Sequence, residues 1–211
     1  MKNVNGIWVR HTKEDVSPVF QEFKSEFVRK AIHFLIALTP MLAAASHDFA
    51  VAMLTLGIIF YIYLESLRLS GFEVPFFSAV TRKAARPRDK NRFVLGPVTL
   101  GIGALTALLL LPAEAAKIAI YALAFGDGFA SLIGRVFGHI RPAFMLGKSV
   151  EGSFSCFFSV LIMSWQVCRD VKASVITALA ATICEALPLE DYDNIVIPLA
   201  AGIAAKFCLG I

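Results

Sequence analysis

Seven stretches of this chain are apolar for long enough to cross, or nearly cross, a lipid bilayer, and that leaves few folds open to it. They cover residues 27–45, 49–67, 93–111, 115–133, 152–167, 171–187 and 194–209. At 1.5 Å per residue, about 20 apolar residues traverse the hydrocarbon layer. Within that layer each backbone N–H and C=O needs a partner, so spans of this length are expected to be helices. Composition points the same way: 57% of residues are hydrophobic, 17% are charged and mean hydropathy is +0.71, against roughly 25% charged residues in a typical soluble domain. The predicted fold class is all-α, a polytopic integral-membrane helical bundle of about seven transmembrane helices. Some runs are short or carry polar residues, so six or eight spans also fit. Residues 26–211 read as one integral-membrane domain and residues 1–25 as an interfacial segment.

Basic residues orient the bundle, because Lys and Arg near span ends favour the cytoplasm. They precede the first run (Lys2, Arg10, Lys13, Lys24, Arg29, Lys30), fill the second connection (Arg68, Arg82, Lys83, Arg86, Arg88, Lys90, Arg92) and recur in the fourth (Arg135, Arg141, Lys148). The alternate connections are poor in them, which predicts a cytoplasmic N-terminus and an outward C-terminus. The first 25 residues have no apolar core or cleavage site, so no removable signal peptide is expected. Val16, Val19, Phe20, Phe23 and Phe27 fall at helical spacing, with Ser17 as N-cap and Pro18 at the first helical position, the pattern of an amphipathic helix lying on a membrane surface. Residues 71–92 join an aromatic half to a basic half, suited to the headgroup layer or to a plain solvated loop. The four cysteines stand apart, without the close pairs of a zinc or redox motif.

Against this background the polar residues in the spans are informative. Asp127 lies between Gly126 and Gly128 inside the run AIYALAFGDGFASLIGRVFG. An aspartate deep in a span costs roughly 2.5–3.5 kcal/mol on insertion scales and marks a functional site by default. The flanking glycines predict a broken helix whose freed N–H groups could bind phosphate; the structural alternative is a kinked helix with Asp127 paired to Arg135. Other charges fall at the same predicted membrane face. Glu26, Arg29, Lys30 and His33 share one helical face at the mouth of the first run, Glu65 and Arg68 end the second, and Lys148 and Glu151 open the fifth. Glu185, Asp191, Asp193 and Asn194 frame the last connection. Taken singly, the Glu26–Lys30 and Glu65–Arg68 pairs and a lone His33 have ordinary packing explanations. The GKS at residues 147–149 is not a phosphate loop, because the required glycine is replaced by Pro142 and no strand precedes it. Lys148 can still neutralise phosphate, Glu151 can hold a cation or accept a proton, and acidic oxygens near Asp193 suit a hard cation such as Mg2+.

Five motifs occur in order: ExxRKxxH at 26–33, ExxR at 65–68, GDGxASxxGRxxG at 126–138, KSxEGS at 148–153 and DNxxxP at 193–198. Together they resemble the CTP-dependent polyprenol kinase family, which includes dolichol kinases, phytol kinases and CTP-dependent diacylglycerol kinases. The resemblance implies transfer of the terminal phosphoryl group of CTP to the hydroxyl of a membrane lipid alcohol, with Mg2+, at the cytoplasmic face. Polyprenol or dolichol leads the implied substrates, with phytol and diacylglycerol open. By motif, Asp127, Lys148, Glu151, Asp193 and Asn194 become the nucleotide–metal centre, supported by Gly126, Gly128, Ser131, Arg135 and Ser149. Asp127, Asp193 and Glu151 are the implied metal ligands, and Glu151 or His33 is placed near the alcohol hydroxyl. Glu26, Arg29, Lys30, Glu65, Arg68 and Glu185 are supporting residues. The expected partners are CTP, the lipid alcohol and the bilayer, without nucleic acid, and a homo-oligomer is compatible with the reading.

Two other readings stay open. A CTP:phosphatidate cytidylyltransferase would also bring CTP to a lipid, but would release pyrophosphate; the ExxRKxxH opening and the short KSxEG favour the kinase. A transporter built on a broken helix would need polar residues through both halves of the bilayer. The predicted outer half is almost uniformly apolar, with Lys206 the main exception.

Overall fold

The computed structural model describes the backbone of residues 2–4, 7–9, 17–72, 74–85, 89 and 92–211, and side chains from Glu26 onward except residue 76, residue 144 and the gaps in that backbone. All seven predicted runs are helical. The first continues a helix that starts at Ser17, as Ser-Pro at residues 17–18 predicts: α1 (Ser17–Leu35) passes through a 3-10 turn (Ile36–Leu38) into α2 (Thr39–Ala45). The amphipathic pattern of Val16 to Phe23 lies outside the described side chains.

α3 (His47–Leu69) follows with Ser46 as N-cap, its hydroxyl accepting from the Phe49 N–H. α4 (Pro75–Ala84) is short, buries Ser78, Thr81 and Ala84, and exposes Arg82 and Lys83. It lies against α1 and, more lightly, α3. Next come α5 (Gly96–Leu110), α6 (Ala113–Tyr121), a π-helical turn (Ala122–Asp127), α7 (Gly128–Phe137), α8 (Val150–Cys168), α9 (Val171–Ala186) and α10 (Asp193–Leu209).

Among the described residues, four helices are long and apolar enough to cross a membrane: Glu26–Ala45, His47–Leu69, Ala113–Phe137 and Val150–Cys168. Gly96–Leu110 is a shorter apolar helix, and α9 and α10 have only 16 and 17 residues. The protein is a helical membrane protein with one departure from an all-α fold. Its first described residues form an antiparallel hairpin, β1 (Lys2–Val4) and β2 (Ile7–Val9), with Asn3 opposite Trp8. The dipeptide joining these strands in sequence, Asn5-Gly6, is the one that most favours a tight hairpin.

Ala113–Phe137 is the central element. Of its most apolar window 61% is buried, against 17–22% in the other three long helices, so protein surrounds it where lipid faces the others. It packs on α5, α8 and α10; Ile118, Ile120 and Leu123 are its largest buried apolar side chains. The expected break at Gly126–Gly128 is corrected here. Both glycines stay in one continuous rod, which widens over a single π turn; Gly128 has φ −57° and ψ −57°. Gly126 is required for packing, since a Cβ there would come within 2.8 Å of Val160 Cγ2 on α8.

Candidate active site

The predicted site residues come from α1, α3, the Ala113–Phe137 rod, the connection into α8, and the facing ends of α9 and α10. From α1, the one-face spacing aims Glu26, Lys30 and His33 inward, and each is at most 5% exposed. Lys30 Nζ donates to Asp127 Oδ2 at 2.5 Å, joining residues 97 positions apart. His33 Nε2 lies 3.3 Å from the same oxygen and 3.2 Å from the Leu123 carbonyl. Both neighbours are acceptors, so the network assigns the hydrogen to that nitrogen: His33 holds Asp127 in place and does not offer a base at Nε2. Asp127 Oδ1 has only the Ser131 hydroxyl, at 3.5 Å, among the described residues. A buried carboxylate tolerates this setting because a lysine and an imidazole N–H offset its lost hydration. Arg135 does not pair with Asp127. It bonds Glu26 Oε2 at 3.2 Å, while Arg29 holds Oε1 at 2.5 Å.

A second centre joins α8, α9 and α10. Lys148 donates to the Glu185 carbonyl and lies 3.5 Å from Asp193 Oδ2 and 3.8 Å from Glu185 Oε1. Ser153 bonds Glu185 Oε2 at 2.8 Å. Facing both centres is a polar cavity of about 630 Å³, lined among others by Ser131, Arg135, Arg141, Lys148 and Glu190. A smaller, mostly apolar cavity of about 190 Å³ lies on the other side, walled by Ile32, His33, Tyr61, Phe77, Val80 and Leu100. Arg29, Asp127 and Asp193 border both. The two acids therefore stand where a polar molecule and an apolar one would meet.

Other predicted residues have their side chains engaged in structural bonds, although Ser149 borders the polar cavity and Asn194 the apolar one. Glu151 borders neither cavity; its carboxylate accepts the backbone N–H groups of His139 and Ile140 at 2.9 and 3.1 Å, fastening the connection before α8. Ser149 borders the polar cavity but is occupied as the N-cap of α8, accepting from Gly152 N at 3.1 Å. Asn194 ties α10 to α5 through Thr99 Oγ1 at 2.9 Å and the Gly96 carbonyl at 3.3 Å. Glu65 and Arg68 form a bidentate pair, both bonds 2.7 Å, outside the two cavities. The sequence assigns Tyr61 no role beyond its apolar run, places Phe77 in the aromatic half of residues 71–92, and uses Arg141 only for topology. The overlooked signal was that Tyr61 shares a helical face with Glu65 and Arg68.

The donor set is compatible with Mg2+. Among the described residues no three His, Cys, Asp or Glu side chains gather into a cage. Mg2+ does not need one, since it keeps several waters and takes one or two carboxylates together with substrate phosphates. Asp127 and Asp193, both facing the polar cavity, are carboxylates of that kind.

No protein-family model matches the chain, and no solved structure matches it significantly. Curated proteins do. The chain is similar to "Probable phytol kinase 1, chloroplastic" of Oryza sativa subsp. japonica, 32% identical over 163 residues, which is 68% of this chain and 50% of that protein. "Probable phytol kinase, chloroplastic" of Triticum aestivum is 29% identical over 171 residues, 70% of this chain and 56% of that protein. "Phytol kinase 1, chloroplastic" of Arabidopsis thaliana is 26% identical over 164 residues, 68% and 53% respectively. The chain spans about half the length of the curated relatives it matches. By sequence, then, the chain is similar to proteins named phytol kinases and belongs to the polyprenol/phytol kinase-like family that its motifs resemble.

Proposed function

We propose that this chain is a membrane lipid-alcohol kinase that transfers the terminal phosphoryl group of a nucleotide, CTP on the motif resemblance, to the hydroxyl of an isoprenoid alcohol of the polyprenol or phytol type. The observation that carries the reading is the position of Asp127 on the wall shared by a polar and an apolar cavity. The nucleotide phosphates occupy the polar cavity, and the alcohol presents its hydroxyl from the apolar one. The phosphorus–oxygen bond to the leaving nucleoside diphosphate breaks as the bond to the alcohol oxygen forms, and the hydroxyl proton passes to solvent in the polar cavity.

Phosphoryl transfer needs charge neutralisation and in-line placement more than covalent help. Lys148, Arg135 and Arg141 supply positive charge along the polar cavity. Asp127 and Asp193 would hold Mg2+, which when bound offsets phosphate charge. Lys30 and His33 hold Asp127 in orientation. A seven-span bundle with its N-terminus and this site on the cytoplasmic side accords with the basic residues at that end and gives soluble nucleotide direct access.

The test uses purified protein in nanodiscs with Mg2+, CTP labelled on its terminal phosphate, and a panel of phytol, polyprenol and diacylglycerol. Label is expected in an alcohol product of the wild type and absent with Asp127→Asn. Pyrophosphate released with phosphatidic acid, and no label in lipid, would replace the kinase with a cytidylyltransferase.

A further inference from the structure

We infer that Tyr61, Glu65 and Arg68, on one face of α3, fix the shape of the apolar cavity and thereby select a single-chain alcohol over a two-chain glycerolipid; the inference rests on reading that cavity as the alcohol site. The three residues, spaced i, i+4 and i+7, all grip one short piece of non-helical chain. Tyr61 Oη donates to the Val94 carbonyl at 3.0 Å, Glu65 Oε1 accepts from the Val94 N–H at 2.9 Å, and Arg68 Nη2 donates to the Arg92 carbonyl at 2.9 Å. Glu65 is fully buried, with both oxygens also on Arg68, so the clamp is rigid. Residues 92–94 lack a helical ladder of their own, and these bonds hold them.

What the clamp holds is cavity wall. Tyr61 and Val94 both line the apolar cavity, and Phe77 of α4 meets the Tyr61 ring edge-on at 5.4 Å. An ion pair that only stabilised the bundle would not need a tyrosine pinned against the space that Asp127 borders. With its volume of about 190 Å³, the cavity is below the roughly 300–1,000 Å³ of sites that enclose drug-sized ligands. At that size it fits the hydroxyl end of one chain, whose remainder lies in the bilayer, better than a glycerol bearing two ester arms. Tyr61 and Phe77 are thus specificity-determining residues, and Glu65 and Arg68 are positioning residues acting through Val94.

The full chain in nanodiscs, with Mg2+ and CTP, would be assayed on phytol and on dioleoylglycerol. Tyr61→Phe removes one O–H and keeps the ring. The expected result is an alcohol KM raised about three- to tenfold, up to the size of one net hydrogen bond, with nucleotide KM unchanged and Tm lowered by a few degrees at most. Glu65→Gln is expected to move alcohol KM in the same direction, and Phe77→Ala to raise the rate on dioleoylglycerol relative to phytol. An unmoved alcohol KM in Tyr61→Phe, an unchanged preference in Phe77→Ala, or a nucleotide KM rising in step would overturn the inference. If the wild type phosphorylates no alcohol, the kinase reading fails separately. Photolabelling with a diazirine-bearing isoprenoid alcohol then reads the cavity directly. Label on residues 77–84 that weakens in Tyr61→Phe upholds the wall, and label confined to the lipid-facing surface sinks it.

Discussion

Two acid–base pairs with buried carboxylates sit at the same end of the bundle, Asp127 with Lys30 and Glu65 with the partly exposed Arg68, and they differ in what their carboxylates have left to bind. Glu65 is saturated: Oε2 takes Arg68 Nε, and Oε1 takes Arg68 Nη2 and the Val94 N–H. Asp127 concentrates its partners on Oδ2, which takes Lys30 and His33, and leaves Oδ1 to a 3.5 Å approach by Ser131. A saturated carboxylate holds structure together. One with spare acceptor capacity on the wall of two cavities is placed to meet a ligand or an ion. The difference is geometric, since both acids are nearly inaccessible to solvent and both lie within apolar helices.

The comparison can be broken most directly at Asp127. Asp127→Asn is expected to lower kcat for phosphoryl transfer by about 100-fold or more, the scale seen when a charge-stabilising group is lost, while circular dichroism still reports a folded helical protein. Glu65→Gln should do the reverse. It leaves the partly exposed Arg68 without its anion, an expected loss of about 1–2 kcal/mol in stability, read as a lower Tm in detergent, with kcat per folded molecule largely kept. If Glu65→Gln abolished turnover at unchanged Tm, the two pairs would not be different in kind.

Smaller effects sharpen the contrast. Lys148→Met is expected to raise nucleotide KM about tenfold by removing a cation from the polar cavity, with alcohol KM unchanged; a change confined to alcohol KM would place the phosphates elsewhere. Glu151→Gln is expected to leave turnover within about threefold of wild type, because one carboxamide oxygen can still accept from His139 and Ile140. A loss matching that of Asp127→Asn would return Glu151 to the chemistry.

Much of this architecture is legible from the chain alone, for a physical reason. Apolar runs must become helices in a bilayer because the backbone has no other partners there, and each predicted run is helical. Asp127 stood out because burying a lone carboxylate is expensive, so its presence called for a partner. The partner itself was not legible: Lys30 looked like the i+4 mate of Glu26, yet Glu26 turned out to bind Arg29 and Arg135. Local spacing cannot rank a neighbour four residues away against one brought in from another helix. The same limit hid the spent side chains of Ser149 and Asn194, whose motif membership says nothing about the caps and carbonyls they meet.

The sequence by itself determined that this protein is a set of membrane helices with charge gathered at one end, because hydropathy and burial cost act on residues one at a time. Only the tertiary structure decided which carboxylate is saturated and which is open, that the helix at Gly126–Gly128 widens through a π turn without breaking, and that polar and apolar cavities share a wall. Those properties depend on distances between helices, set by packing between residues tens of positions apart.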